Sequence, residues 1–195
     1  MTVEIRPLNL ADVLHVCSRM RQQDWEEVLN LLPRAVSKAE TVAMICMQVT
    51  KIGFVAVIDG EPAGVVQIAE ILDGTYRIGM FGTNRLPEVA LDLACAFFDC
   101  VPDMLDEGAT YCEAQADALH DEAHKFLRFV GFSKRAILPG YGSHGRDIAL
   151  FTMTKGEAHV HGRRWRRISN ARSSTNNGAG IGSDPGAAGI SEAAG

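Results

Sequence analysis

The sequence predicts an α/β domain, a mixed central sheet flanked by helices on both faces, with a low-complexity C-terminal tail behind it. Three observations carry that expectation. Apolar residues recur at helical spacing up to about residue 49, then at strand spacing from 54 to 81, and the two periods take turns after that. The turn pairs Asp59-Gly60 and Asp73-Gly74 put hairpins in the middle of the chain, while helix crossovers near the end require a sheet that is not purely antiparallel. From residue 156 onward periodicity dissolves, so the predicted units are a domain at 1–156 and a tail at 157–195.

Val3-Glu4-Ile5 alternates and reads as a first strand that Arg6-Pro7 ends. Asn9 is placed to cap a helix from Leu10 to about Met20, its side-chain oxygen answering one of the free N–H groups of the first turn. A second helix covers Gln23 to Leu32, with Trp25, Val28, Leu29 and Leu32 on one face and Pro33 as its stop. Ser37 caps a third, roughly Lys38 to Val49, apolar at Val42, Ile45, Cys46 and Val49. Phe54 to Ile58 is then a strand, Asp59-Gly60-Glu61-Pro62 a turn, and Gly64 to about Leu72 the return strand. Asp73-Gly74 leads into a strand from Thr75 to Phe81.

Pro87 suits the first turn of a helix expected from Glu88 to about Cys100, where Pro102 perturbs the end. Thr110 to Ala114 is the next strand. Asp117 or His120 opens a helix carrying Ala123, Phe126, Leu127 and Val130, and Gly131 closes it. Phe132 to Leu138 and Ile148 to Thr154 are the last two strands, joined by the Gly/Pro-rich turn 139–145. In the final strand Leu150 and Thr152 face one way, Phe151 and Met153 the other.

No apolar run approaches the roughly 20 residues that cross a bilayer. The start Met-Thr-Val-Glu-Ile-Arg has no basic stretch leading into an apolar one, so the expectation is a soluble protein made and used in a cytoplasm. The five cysteines form no Cys-x-x-Cys and read as buried free thiols. His159 and His161 alternate without a carboxylate or thiol at ligand spacing, and no metal is expected. Of the formal charge of −5, the stretch from Lys155 on carries +3 and leaves −8 for the body. An acidic body joined to a basic strap suggests two surfaces with different partners, and argues against a body that grips nucleic acid alone.

The most conspicuous cluster is Arg163-Arg164-Trp165-Arg166-Arg167. Four guanidiniums around one indole suit an acidic protein groove with Trp165 as anchor, and this partner-binding reading leads. Phosphate binding with a stacked base and a solvated linker are the other readings. His120, Asp121, Glu122 and His124 are explained by helix capping and surface polarity, since no third metal ligand accompanies the two histidines. Glu70 and Glu113 are expected on the solvent side of their strands rather than as bases toward an amine. No catalytic residue is assigned.

The order of strands and helices resembles that of the GCN5-related N-acetyltransferases. Many of these enzymes carry Asn-x-x-Ala, then Tyr, then Gly-Phe; here His120, Ala123, Leu127 and Gly131-Phe132 take those places. The resemblance implies that the Tyr position protonates the departing thiolate, and Leu127 has no proton to give. The family's pyrophosphate loop, Gln/Arg-x-x-Gly-x-Gly/Ala, presents backbone N–H groups and a helix N-terminus to phosphates. Along Arg77-Ile78-Gly79-Met80-Phe81-Gly82-Thr83 only Arg77 and Gly82 keep step, and Met80 stands at the first glycine. Arg77, Gly82 and Thr83 are therefore the cofactor-binding candidates if the chain is an acetyl-CoA-dependent N-acetyltransferase acting on an amine. The expected cofactor is otherwise none.

A second resemblance is to the small internal virion proteins of short-tailed bacteriophages, a family with a decayed acetyltransferase-like domain. It rests on Ile5-Arg6-Pro7, on Phe126-Leu127-Arg128-Phe129-Val130-Gly131, and above all on Leu150-Phe151-Thr152-Met153-Thr154-Lys155-Gly156. It implies an inert, internal or head–tail-associated structural component, present in several copies, in the virion and in the host cytoplasm during assembly. Other virion proteins would be the partners of the tail, which the relatives of this family lack.

Overall fold

The structure, a computed structural model, describes residues 1–31, 37–47 and 52–162. Its elements follow the predicted order. Strand β1 (Val3–Pro7) leads to helices α1 (Leu10–Ser18), α2 (Gln22–Leu31) and α3 (Lys38–Met47). The strands β2 (Ile52–Ile58), β3 (Glu61–Leu72) and β4 (Thr75–Gly82) come next. They are followed by α4 (Leu86–Asp106), β5 (Tyr111–Asp117), α5 (Asp121–Phe129), β6 (Ser133–Leu138) and β7 (Ile148–Thr154). Residues 155–162 form one more helix, α6.

The seven strands make one sheet in the order β1-β2-β3-β4-β5-β7-β6. Every pairing is antiparallel except β4 with β5, which is parallel and covers only Thr75–Arg77 against Tyr111–Glu113. Beyond those three pairs the ladder between β4 and β5 stops, so the C-terminal ends of the two strands are not paired with each other.

Pleating sends alternate side chains of this sheet to two helical layers. Val55, Val57, Val65 and Phe81 join Val13, Val16, Cys17, Met20, Trp25 and Ile45 in a cluster beneath α1, α2 and α3. On the other face α4 lays Val89, Leu93, Ala94, Phe97, Val101 and Leu105 against the sheet, all buried. Gly64 permits that approach, because a Cβ there would stand 2.5 Å from Leu86 Cδ1. Phe151 and Met153 are buried and Leu150 and Thr152 half-buried, which is the facing expected for β7.

Three boundaries differ from the sequence reading. The turn after β2 is the two-residue pair Asp59-Gly60 alone, both in the left-handed region (φ 51° and 88°), and β3 begins at Glu61. Pro62 is tolerated inside that strand because it sits beside a bulge at Ala63, where the register shifts. Helix α4 passes through Pro102 to Asp106. A proline inside a helix costs about 3 kcal/mol, and burial of Val101 and Leu105 around it offsets that cost.

The third difference is α6, six residues past the expected end of the domain; the folded unit runs Met1–Gly162. Thr154 and Glu157 form a reciprocal capping box. Thr154 N–H and Oγ1 donate to Glu157 Oε2 (2.8 and 2.9 Å), and Glu157 N–H reaches Thr154 Oγ1 (3.4 Å). Ala158 is buried, and Glu157 Oε1 also accepts from Ser133 Oγ and Arg135. The other ends fall where capping chemistry puts them. Asn9 Oδ1 accepts from Asp12 N–H, Ser37 and Glu40 cap α3, and Gly131 (φ 103°) terminates α5. Pro33, Leu32 and Val49 lie outside the described residues.

Candidate functional site

The candidate cofactor loop lies at the C-terminal end of β4, where β4 and β5 have ceased to pair. Four of its amides are already in use. Gly82 N–H donates to Asp24 Oδ2 (2.7 Å), and Thr83 N–H to the carbonyl of Ala63 (2.8 Å), the residue at the β3 bulge. Arg85 N–H donates to Thr83 Oγ1 (3.2 Å), Leu86 N–H to Thr83 O (2.9 Å), and Pro87 has none to offer. Gly82 itself is required by packing, since a Cβ would meet Ala63 O and Leu86 Cβ at 2.7 Å each. Arg77 points to β5 instead, with its guanidinium 2.6 Å from Glu113 Oε1.

The carboxylate on Gly82 comes from α2, whose packing is unusual. Asp24, Glu27 and Asn30 fall at i, i+3 and i+6, hence on one stripe of the helix. That stripe meets the ends of both diverging strands. On the β4 side, Arg21 N–H donates to Gly82 O (3.0 Å) while Asp24 takes the Gly82 N–H. On the β5 side, Glu27 Oε1 accepts from Asp117 N–H (3.1 Å), and Asn30 Nδ2 donates to Asp117 Oδ2 (3.0 Å). Arg21 Nε holds the other oxygen of Asp24 at 2.7 Å.

Glu27 makes a further contact, 2.6 Å from its Oε2 to His120 Nδ1. A carboxylate only accepts, so Nδ1 carries the proton. His120 is 6% exposed, and its Nε2 is buried with no hydrogen-bond partner among the described residues. The hydrogen bond to Glu27 raises the imidazole above its ordinary value against the opposing effect of burial. Four residues on, His124 is also buried, lies with its ring tilted against Phe151 at 5.2 Å between centroids and donates from Nε2 to Asp117 O. Burial lowers its value. Asp24 is pushed up by burial, though Arg21 and the Gly82 amide pull the other way. A shallow pocket of about 160 Å³ opens beside the pair, lined by Gln23, Glu26, Glu27, Asp117, Leu119 and Arg146 with His120.

Several sequence expectations change here. His120 and His124 are interior groups, not surface polarity, and His120 makes no side-chain cap on α5. His120 lies against Glu27 of α2, and His124 against Phe151 of β7 and the carbonyl of Asp117. Glu113 is buried and ion-paired to Arg77 rather than solvent-facing, because β5 is an inner strand; Glu70 is exposed and accepts from Gly74 N–H. Cys17 and Cys112 are buried free thiols whose values burial pushes up to about 12, while Cys46, Cys95 and Cys100 are half-buried. Leu127 is half-buried. Arg163, Arg164, Trp165, Arg166 and Arg167 lie outside the described residues. Sequence reasoning passed over Asp24, Glu27 and Asn30 and read Asp117 only as a helix opener; the polar i, i+3, i+6 stripe of α2 was the available signal.

Comparison with solved structures places the fold. The chain is similar to a structure described as an acetyltransferase of putative assignment, with TM-score 0.63 and 14% identity over 83% of this chain and 88% of that one. It is similar to Ard1 from Thermoplasma volcanium, with TM-score 0.60 and 18% identity over 79% and 98%. A phosphinothricin acetyltransferase from Sinorhizobium meliloti, crystallised with acetyl-CoA, matches with TM-score 0.58 and 16% identity over 79% and 89%. At these identities the likeness establishes an acetyltransferase-like fold. No family model matches the sequence, and no curated protein does. Among the described residues no helix is long and apolar enough to cross a membrane.

Proposed function

We propose that this chain is a structural component of a short-tailed phage particle, built on an acetyltransferase-like domain that performs no cofactor chemistry. The observation that supports the inert reading is the Asp24 carboxylate on the Gly82 amide. A pyrophosphate in this loop would need N–H groups, and those of Gly82, Thr83, Arg85 and Leu86 all donate within the chain. Leu127, at the position of the family's acid, supplies no proton, and the thiols pushed up by burial offer no thiolate.

The particle assignment rests on the likeness of Phe126–Gly131 and Leu150–Gly156 to the internal virion proteins, stretches that form α5 with its closing glycine and the β7–α6 junction. The basic strap Arg163–Arg167 is the segment that docks on a neighbouring virion protein, with Trp165 as anchor and the arginines on carboxylates. Arg77, Gly82 and Thr83 serve the domain's own packing and pairing in this reading.

Titration calorimetry of the full chain with acetyl-CoA tests it. The expected dissociation constant is no tighter than about 1 mM, or about 4 kcal/mol. Micromolar binding would restore the alternative, an N-acetyltransferase acting on an amine. Mass spectrometry of purified particles tests the other half, and absence of the chain from them would end the virion assignment.

A further inference from the structure

The seam between α2 and the ends of β4 and β5 is polar, and one of its members, His120, is a histidine whose imidazole the Glu27 hydrogen bond raises above its ordinary value. We propose that α2 is an acid-tightened latch: the contact of His120 with Glu27 fastens the helix over the gap between β4 and β5, and rising pH lets it lift, baring the Gly82 and Asp117 amides.

Lifting α2 withdraws Trp25 from the apolar cluster against which Val28 and Leu29 also pack, so the polar seam is the part of its hold that pH can change. Trp25 is the one large buried apolar residue of α2, whereas Asp24 and Asn30 are also buried and make their contacts by hydrogen bonds. Each of those bonds passes to water when the helix lifts, so the net cost of each is small compared with its strength in place. Glu27 is the hub of the seam, since its two oxygens tie α2 to the backbone of β5 at Asp117 and to the loop ahead of α5 at His120. Loss of the imidazolium charge weakens both the pair and the hub's preference for its seat.

The charged groups facing His120 come from every side. Glu27 and Asp24 on α2 favour the imidazolium, and Arg21 opposes it. Asp117 on β5 carries Arg146, 3.3 Å away from the loop before β7. His124 on α5 donates to Asp117 O, and burial lowers its value. The balance of these raises His120, so its contribution to docking is complete below the ordinary histidine value and is lost as pH rises through the raised one.

Hydrogen exchange of the full-length chain reads the latch directly. After correction for intrinsic chemistry, amides of residues 22–31 and those of Gly82 and Asp117 should open more than about threefold more readily at about pH 8.5 than at about pH 6. His120→Asn keeps a donor for Glu27 but cannot titrate, and should flatten the dependence. Glu27→Gln keeps an acceptor without charge and should flatten it too, which covers the case of an unstable His120 variant. Equal opening at both pH values in the wild-type chain overturns the proposal. So does a dependence that survives in both variants, since it would then belong to Asp24 or to groups elsewhere.

Discussion

Helices α4 and α2 pack on the same sheet by opposite means. α4 presents Val89, Leu93, Ala94, Phe97, Val101 and Leu105, all buried, and is held by the area it removes from water. α2 buries Asp24 and Asn30 beside Trp25 and is held by bonds of stated length to Gly82, Asp117 and His120. An apolar face tolerates small shifts and swaps of similar volume. A polar face fixes one arrangement, because a misplaced buried donor or acceptor loses its partner outright. The two sides of the domain therefore differ in kind: one is a platform, the other a fitted cover.

Substitutions should expose that difference, and the largest effects belong to the platform and the strand beneath it. Phe151→Ala, at a fully buried side chain in β7, should cost about 3–5 kcal/mol in chemical denaturation. Leu93→Ala on α4 should cost about 2–5 kcal/mol by the same measure. On the cover, Asp24→Ala should cost about 3 kcal/mol, because it strands both the Gly82 amide and Arg21. Asp24→Asn should cost only about 1 kcal/mol, since its oxygen can still accept from Gly82. Equal losses for the Ala and Asn variants would mean that charge, not the hydrogen bond, holds α2 down.

Smaller effects define the edge of the folded unit. Ending the chain after Gly156 removes Glu157 of the capping box and the buried Ala158, and should cost about 1–2 kcal/mol. Ending it after Gly162 should leave the melting temperature within about 1 °C of the full chain. That second truncation is the one to use in particle assembly, where loss of incorporation is expected if Arg163–Arg167 is the docking strap. Incorporation at full copy number would make the strap a passive linker.

The platform was readable from sequence because its signal is local. The apolar spacing of α4 and the alternation of Leu150 to Met153 need no knowledge of what lies opposite. Where reading failed there, as at Pro102, burial on either side outweighed a local penalty. The cover was not readable because its partners are remote: Asn30 and Asp117 are 87 positions apart, and Glu27 and His120 are 93 apart. Asp24 on its own looks like any first-turn carboxylate that favours a helix N-terminus. Two local signals were nevertheless present and missed. Thr154-Lys155-Gly156-Glu157 is a capping box, and it announces a helix where the Gly-rich tail distracted from one. Asp59-Gly60 suffices for the hairpin, so Glu61 and Pro62 belong to the strand.

The strand order has a consequence for the time course of synthesis. Of the described strands β7 is the last made, yet it lies between β5 and β6 and supplies the antiparallel partner of each. Until Ile148–Thr154 is available, β5 has only the three-pair ladder to β4, and β6 has no strand beside it. A growing chain must carry that half-sheet with its edges bare, a period in which unpaired strands are open to wrong partners. The half β1-β2-β3-β4 has no such wait, since all its pairings close by residue 82. Maturation of the domain is thus expected in two stages, an early four-strand core and a late insertion that completes the sheet.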